Sequence, residues 1–191
     1  NYIDLHPQSL QGCSNVYMIR SYRSDILRNT LRAASSDKCG DKYFIHSEGS
    51  SNDSLLIQNN SINLRHWGNY NWPRIIYTGS NNPSYDISYN EIKVNTPSLG
   101  RLLSLYGTTY FHDNEVIISQ YHNNNLIRIY AGQTSAIYSN RFELGTNNTN
   151  YLLDGDGIVL NFYSNIINLK DQPVINLTGG SSGNIYNNTM I

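Results

Sequence analysis

Residues 115–130, Glu115-Val116-Ile117-Ile118-Ser119-Gln120-Tyr121-His122-Asn123-Asn124-Asn125-Leu126-Ile127-Arg128-Ile129-Tyr130, place two short apolar runs on either side of an Asn-rich link. Both runs are rich in β-branched residues and too short for buried helices. Consecutive asparagines supply backbone positions that tolerate positive φ. The link therefore reads as a hairpin turn and the runs as antiparallel strands.

The same grammar extends in both directions. Upstream lie Tyr43-Phe44-Ile45, Leu55-Leu56-Ile57, Ile62-Asn63-Leu64, Ile75-Ile76-Tyr77, Tyr85-Asp86-Ile87-Ser88-Tyr89 and the run from Leu102 to Tyr106. Downstream lie 137–144, 157–163, 166–169 and 174–177, with Gly, Ser, Asn and Pro clusters as separators. Many short strands without strand–helix alternation predict an all-β fold, a sandwich of two antiparallel sheets or a barrel. No regular repeat period is visible, which counts against a propeller or solenoid.

One short helix is predicted near the N-terminus. Ser24 can cap it, Asp25 lies in its first turn, Ile26, Leu27, Leu31 and Ala34 share a stripe, and Lys38-Cys39-Gly40 stops it. Residues 1–15 read as an N-terminal arm, 16–178 as a single β-rich domain, and 179–191, which open Gly179-Gly180-Ser181-Ser182-Gly183, as a flexible tail or linker. A chain starting at Asn1 without Met is expected to be a mature or excised fragment.

The 191 residues are 39% hydrophobic and 14% charged, with a formal net charge of -1. Nucleic-acid scaffolds need a positive field, so that partner is not expected. With 28 Asn and 16 Tyr, the polar surface is built from amides and phenols rather than ion pairs. No apolar run approaches the roughly 18 residues a membrane helix needs, so no direct membrane insertion is expected. Cys13 and Cys39 can form a disulfide, worth about 3–4 kcal/mol by loop closure, or remain two buried thiols. Sequons at Asn52, Asn59, Asn147, Asn176 and Asn187 are what such an Asn content supplies by chance and do not fix a compartment.

Signatures of catalysis are sparse. There is no Gly-x-Ser-x-Gly elbow, no phosphate-binding loop and no dinucleotide fingerprint. His6, His46, His66, His112 and His122 lack metal-ligand spacing, and Asp154-Gly155-Asp156-Gly157 runs straight into an apolar strand, so it reads as a tight turn rather than a calcium loop. No metal or other cofactor is expected. Carboxylate pairs for glycoside hydrolysis can be assembled from Glu48, Asp53, Asp86, Glu91, Glu115 or Glu143, as in any strand protein, and carry little weight. The basic residues Arg20, Arg23, Arg28, Arg32 and Lys38 read as a solvated face.

The segment His66-Trp67-Gly68-Asn69-Tyr70-Asn71-Trp72-Pro73-Arg74 is the stronger surface candidate. Trp67 and Trp72 offer flat faces for sugar C–H patches, while Asn69, Asn71 and Arg74 offer hydrogen bonds to hydroxyls. The competing reading is that both tryptophans plug the core.

The order of Leu126-Ile127-Arg128-Ile129-Tyr130-Ala131-Gly132-Gln133-Thr134, then 138–142, then 158–163 resembles the glycan-binding head domain of the rotavirus outer-capsid spike, and Thr96-Pro97-Ser98-Leu99 has an approximate counterpart there. The resemblance implies a galectin-like sandwich of two antiparallel sheets at a spike tip on the virion surface. It also implies host cell-surface glycan and the remainder of the spike protein as partners, with no enzymatic activity. It sets Arg141 and Glu143 where some members face sugar with Tyr and Ser, and Phe142 on the opposite face. Glu143 beside Arg141 would repel an anion, which favours a neutral histo-blood-group-type ligand over a sialylated one; intramolecular pairing is the commoner fate of both side chains.

The expected function is therefore viral attachment through a lectin domain. A structural capsid or protein-interaction module is the alternative, and a β-rich glycoside hydrolase a third class.

Overall fold

The computed structural model describes residues 2–5, 16–35, 42–67, 74–79, 83–95, 101–120, 125–130, 133–145, 151–169 and 174–191. Its strands, in chain order, are β1 (Tyr2–Leu5), β2 (Val16–Tyr22), β3 (Ile26–Leu27), β4 (Thr30–Ser35), β5 (Lys42–Glu48), β6 (Ser54–Gln58), β7 (Ser61–Trp67), β8 (Arg74–Thr78), β9 (Ser84–Ser88), β10 (Glu91–Asn95) and β11 (Arg101–Leu105). There follow β12 (Thr108–His112), β13 (Glu115–Gln120), β14 (Ile127–Ile129), β15 (Thr134–Tyr138), β16 (Arg141–Leu144), β17 (Leu153–Asp156), β18 (Val159–Tyr163), β19 (Ile166–Asn168), β20 (Ile175–Thr178), β21 (Ser182–Tyr186) and β22 (Thr189–Met190).

Every third strand joins the same sheet. The first sheet runs β1-β4-β7-β10-β13-β16-β19-β22, the second β2-β5-β8-β11-β14-β17-β20, and the third β21-β18-β15-β12-β9-β6-β3. All the pairings are parallel, as in β7 with β10 and β10 with β13. The chain thus winds as a β-solenoid, with one strand per sheet in each coil.

This overturns the expected antiparallel galectin-like sandwich. Parallel neighbours need a long return connection, and here the other two strands of the coil supply it, so no helix is required. The expected hairpin at 115–130 is not one: β13 belongs to the first sheet and β14 to the second. The expected helix is replaced by β3 and β4, and no helix occurs among the described residues. The stretch 179–191, expected as a flexible tail, contains β21 and β22, which pair with β18 and β19.

One corner repeats without change. Between each third-sheet strand and the next first-sheet strand lie two residues. The first has positive φ: Arg28, Asn59, Tyr89, Asp113, Ser139, Ser164 and Asn187, all between 53° and 57°. The second is always Asn: Asn29, Asn60, Asn90, Asn114, Asn140, Asn165 and Asn188.

An apolar residue precedes this Asn by three positions and another follows it by two, as in Ile57-x-x-Asn60-x-Ile62 and Phe111-x-x-Asn114-x-Val116. Strand alternation points both inward. The resulting columns, Ile57, Ile87, Phe111, Ile137 and Phe162 in the third sheet and Leu31, Ile62, Ile92, Val116, Phe142 and Ile167 in the first, are buried. The second sheet adds Ile45, Ile76, Leu103, Ile127 and Leu153. At its bend it sends two consecutive residues inward, as with Ile75 and Ile76 or Leu102 and Leu103.

The corner asparagines form a buried ladder. Asn90 Nδ2 donates to Asn114 Oδ1 at 2.9 Å, to Ile57 O at 2.8 Å and to Ser88 O at 3.0 Å, while the Asn90 main-chain N–H also donates to Asn114 Oδ1 at 2.9 Å. The amide thus satisfies main-chain carbonyls that the turn leaves without a ladder partner.

Candidate functional site

The second sheet turns its polar face outward, and strand register stacks like positions of successive coils about 4.8 Å apart. Arg74 lies beside Arg101. In the next outward column His46 aligns with Tyr77, Tyr77 with Ser104, Ser104 with Arg128 and Arg128 with Asp154. Tyr106 and Tyr130 follow directly after β11 and β14.

These side chains form a continuous aromatic strip. Tyr17 and Tyr43 stack at 5.0 Å, and Tyr43 meets Tyr77 edge-on at 5.3 Å. Tyr77 meets Tyr106 at 5.7 Å, and Tyr106 stacks on Tyr130 at 3.8 Å with the planes 10° apart. His46 sits among them, 4.7 Å from Tyr77 and 5.2 Å from both Tyr17 and Tyr43.

Guanidinium groups are threaded through the rings. Arg74 lies 5.4 Å from the Tyr43 ring centre and 5.3 Å from that of Tyr77, within cation–π range. Arg101 Nη1 donates to Tyr130 Oη at 2.8 Å. Arg128 bonds Asp154, whose other oxygen accepts from Asn176 Nδ2 at 2.9 Å. Arg20 is 3.6 Å from Glu48.

Protonation follows from this packing. Burial lowers the pKa of His46; Glu48, with Oε1 2.8 Å from Nε2, opposes the shift, and Arg20 and Arg74 add to it. Burial also raises the phenols of Tyr77 and Tyr106, with Tyr130 adding to the latter. At neutral pH the phenols of Tyr77 and Tyr106 and the imidazole of His46 are therefore held neutral beside the Arg20 and Arg74 guanidinium groups.

Of the seven residues expected to touch sugar, the structure places Arg74 on this strip. Trp67 ends β7 in the first sheet, while Asn69, Asn71 and Trp72 lie outside the described residues, as do Cys13 and Cys39. Arg141 and Glu143 are on the first sheet and are not brought to Arg74. They bond one another, with Arg141 Nε 3.0 Å from Glu143 Oε1 and 4.0 Å from Glu115 Oε1. The expected turn at 154–157 is a strand over Leu153–Asp156, followed by Gly157 at φ 62°. Among the described residues no group of three or more His, Cys, Asp or Glu side chains is placed to hold a metal ion.

Sequence reasoning missed Tyr43, His46, Tyr77, Arg101, Tyr106, Arg128 and Tyr130. It also missed a second stack on the third sheet, where His112, Tyr138, Tyr163 and Tyr186 follow at 4.6, 4.9 and 4.9 Å. Both His112 nitrogens there face carboxylates, Asp86 at 3.1 Å and Asp113 at 2.7 Å. The signal for this stack was legible, because each ring stands two positions before a corner Asn. The second-sheet strip has no such marker.

No known protein family matches this chain, and no curated protein and no solved structure proved similar to it.

Proposed function

We propose that this chain is a glycan-binding β-solenoid, with the Tyr–Arg face of the second sheet as its binding surface. The observation that carries this reading is the unbroken strip from Tyr17 to Tyr130, five coils long, in which guanidinium groups lie against a row of phenol rings. Such groups offer fixed donors and acceptors to hydroxyl-rich ligands at low ordering cost. Attachment at a viral surface belongs to the same proposal. Each contact is weak because sugar hydroxyls trade water for protein hydrogen bonds, and multivalent display multiplies them.

A glycan array probed with multivalently displayed chain tests the reading. Reproducible binding that drops in Tyr77→Ala and Arg101→Ala is expected. Absence of any glycan signal, together with capture of a defined protein partner, overturns it.

The second reading is a rigid structural module, favoured by the buried Asn ladder that runs from Asn29 to Asn188. Sedimentation separates the two: a stable obligate oligomer that covers the Tyr–Arg face favours structure over adhesion.

A further inference from the structure

The geometry points to a linear acidic polysaccharide, bearing carboxylate or sulfate groups and lying along the solenoid axis, as the ligand of this face. The inference rests on the glycan-binding reading and names its substrate class.

Charge carries the first part. The outward-facing described side chains of this face include four guanidinium groups, Arg20, Arg74, Arg101 and Arg128, against the carboxylates of Glu48, beside Arg20, and Asp154, bonded to Arg128, so the excess is carried by Arg74 and Arg101. The whole chain is nearly neutral, at -1, so this excess is a local feature. Arg101 is also held in place by Tyr130 Oη, which leaves the rest of its donor fork directed by the fold rather than by a carboxylate.

Spacing carries the second. Arg101 is in direct register with Arg74, one coil apart, while Arg128, a coil further along, stands in the neighbouring column opposite Ser104. A coil step of about 4.8 Å is close to the length of one pyranose residue in an extended chain. A polysaccharide parallel to the axis therefore meets one rung of side chains per sugar, with successive anionic substituents set against Arg74 and Arg101.

Ring orientation selects saccharide over nucleic acid. Tyr17 with Tyr43 and Tyr106 with Tyr130 stack within 10° of parallel along the axis. Each ring of these pairs covers one face of its partner. Bases need open faces to stack on, whereas sugar hydroxyls and carboxylates are served by phenol edges and guanidinium forks.

The test compares immobilised uronate-bearing and sulfated polysaccharides with carboxyl-reduced and desulfated counterparts, using multivalently displayed chain at low and high salt. Wild type is expected to prefer the acidic forms by at least about tenfold, as one lost charged hydrogen bond implies, and to lose that preference at high salt. Arg101→Gln and Tyr130→Phe should each weaken acidic binding with unfolding midpoints unchanged, while Arg65→Gln on the first sheet should not. Equal binding to acidic and neutral forms overturns this inference and leaves the glycan reading standing. No binding to any saccharide overturns both. Polyglutamate or single-stranded RNA bound as tightly as the acidic polysaccharide overturns the assignment of class, and loss of binding in Arg65→Gln alone overturns the assignment of site.

Discussion

Asn140 Oδ1 accepts both the main-chain N–H and the side-chain Nδ2 of Asn114, each at 3.0 Å. The same pair of bonds recurs along the corner, with sequence separations of 31, 30, 24, 26, 25 and 23 residues between successive asparagines. One buried amide column therefore holds the coils in register whatever the length of the segments between them.

Asn140→Ala removes that acceptor and three Nδ2 contacts, to Phe111 O, Tyr138 O and Asn165 Oδ1. It leaves buried donors and carbonyls without partners. A loss of about 2–5 kcal/mol is expected from urea unfolding. Unchanged stability would show that the ladder follows from packing instead of supporting it.

Ser139, the residue before this Asn, has φ 55°. A β-branched side chain is poorly accommodated there. Ser139→Val should cost about 1–2 kcal/mol, and Ser139→Gly should leave stability equal or higher, since Gly relieves the backbone but loses more entropy on folding. Chemical denaturation of the two variants side by side checks the sign of each.

Gly145 packs its backbone on the coil beneath, where its N–H donates to Ile118 O at 2.7 Å. An added Cβ would stand 2.2 Å from Ser119 O. Gly145→Ala should therefore destabilise by about 1–3 kcal/mol, read as a lower urea midpoint with the slope of the transition retained.

His46 gives the fold a pH dependence. Its folded pKa lies below the ordinary 6.5, chiefly through burial. As pH falls through 6.5, the unfolded chain takes up a proton that the folded chain resists, so this residue's contribution favours unfolding until the folded pKa is passed. Urea midpoints measured from pH 7.5 down to 5 should fall more steeply for wild type than for His46→Gln. Parallel curves would remove His46 from the account.

Much of the strand content was legible in the chain. The runs at 43–45, 55–57, 62–64, 75–77 and 116–118 lie within β5, β6, β7, β8 and β13, and those at 85–89, 102–106 and 157–163 overrun β9, β11 and β18 by one or two residues. The helix expected at 24–40 shows why the architecture was not. A two-residue corner at Arg28-Asn29 breaks strict alternation, so exposed Leu27, inward Leu31, and Ala34 fall at i, i+4 and i+7 and mimic a helical stripe, although Arg28 at φ 55° cannot be helical. The run expected at 137–144 is likewise two strands split by Ser139-Asn140.

The repeat stayed hidden because only one of the three corners has constant length. The links from first to second sheet and from second to third differ from coil to coil, so no fixed period runs through the chain. By itself the sequence determined the β content, most strand positions and an amide- and phenol-rich surface, because these follow from local side-chain preference. Parallel stacking, the partners of each Asn and the gathering of Arg74, Tyr77, Arg101 and Tyr130 on one face were decided by the tertiary structure alone. Contacts between coils join residues more than twenty positions apart, and their register depends on how closely each coil closes onto the one before it.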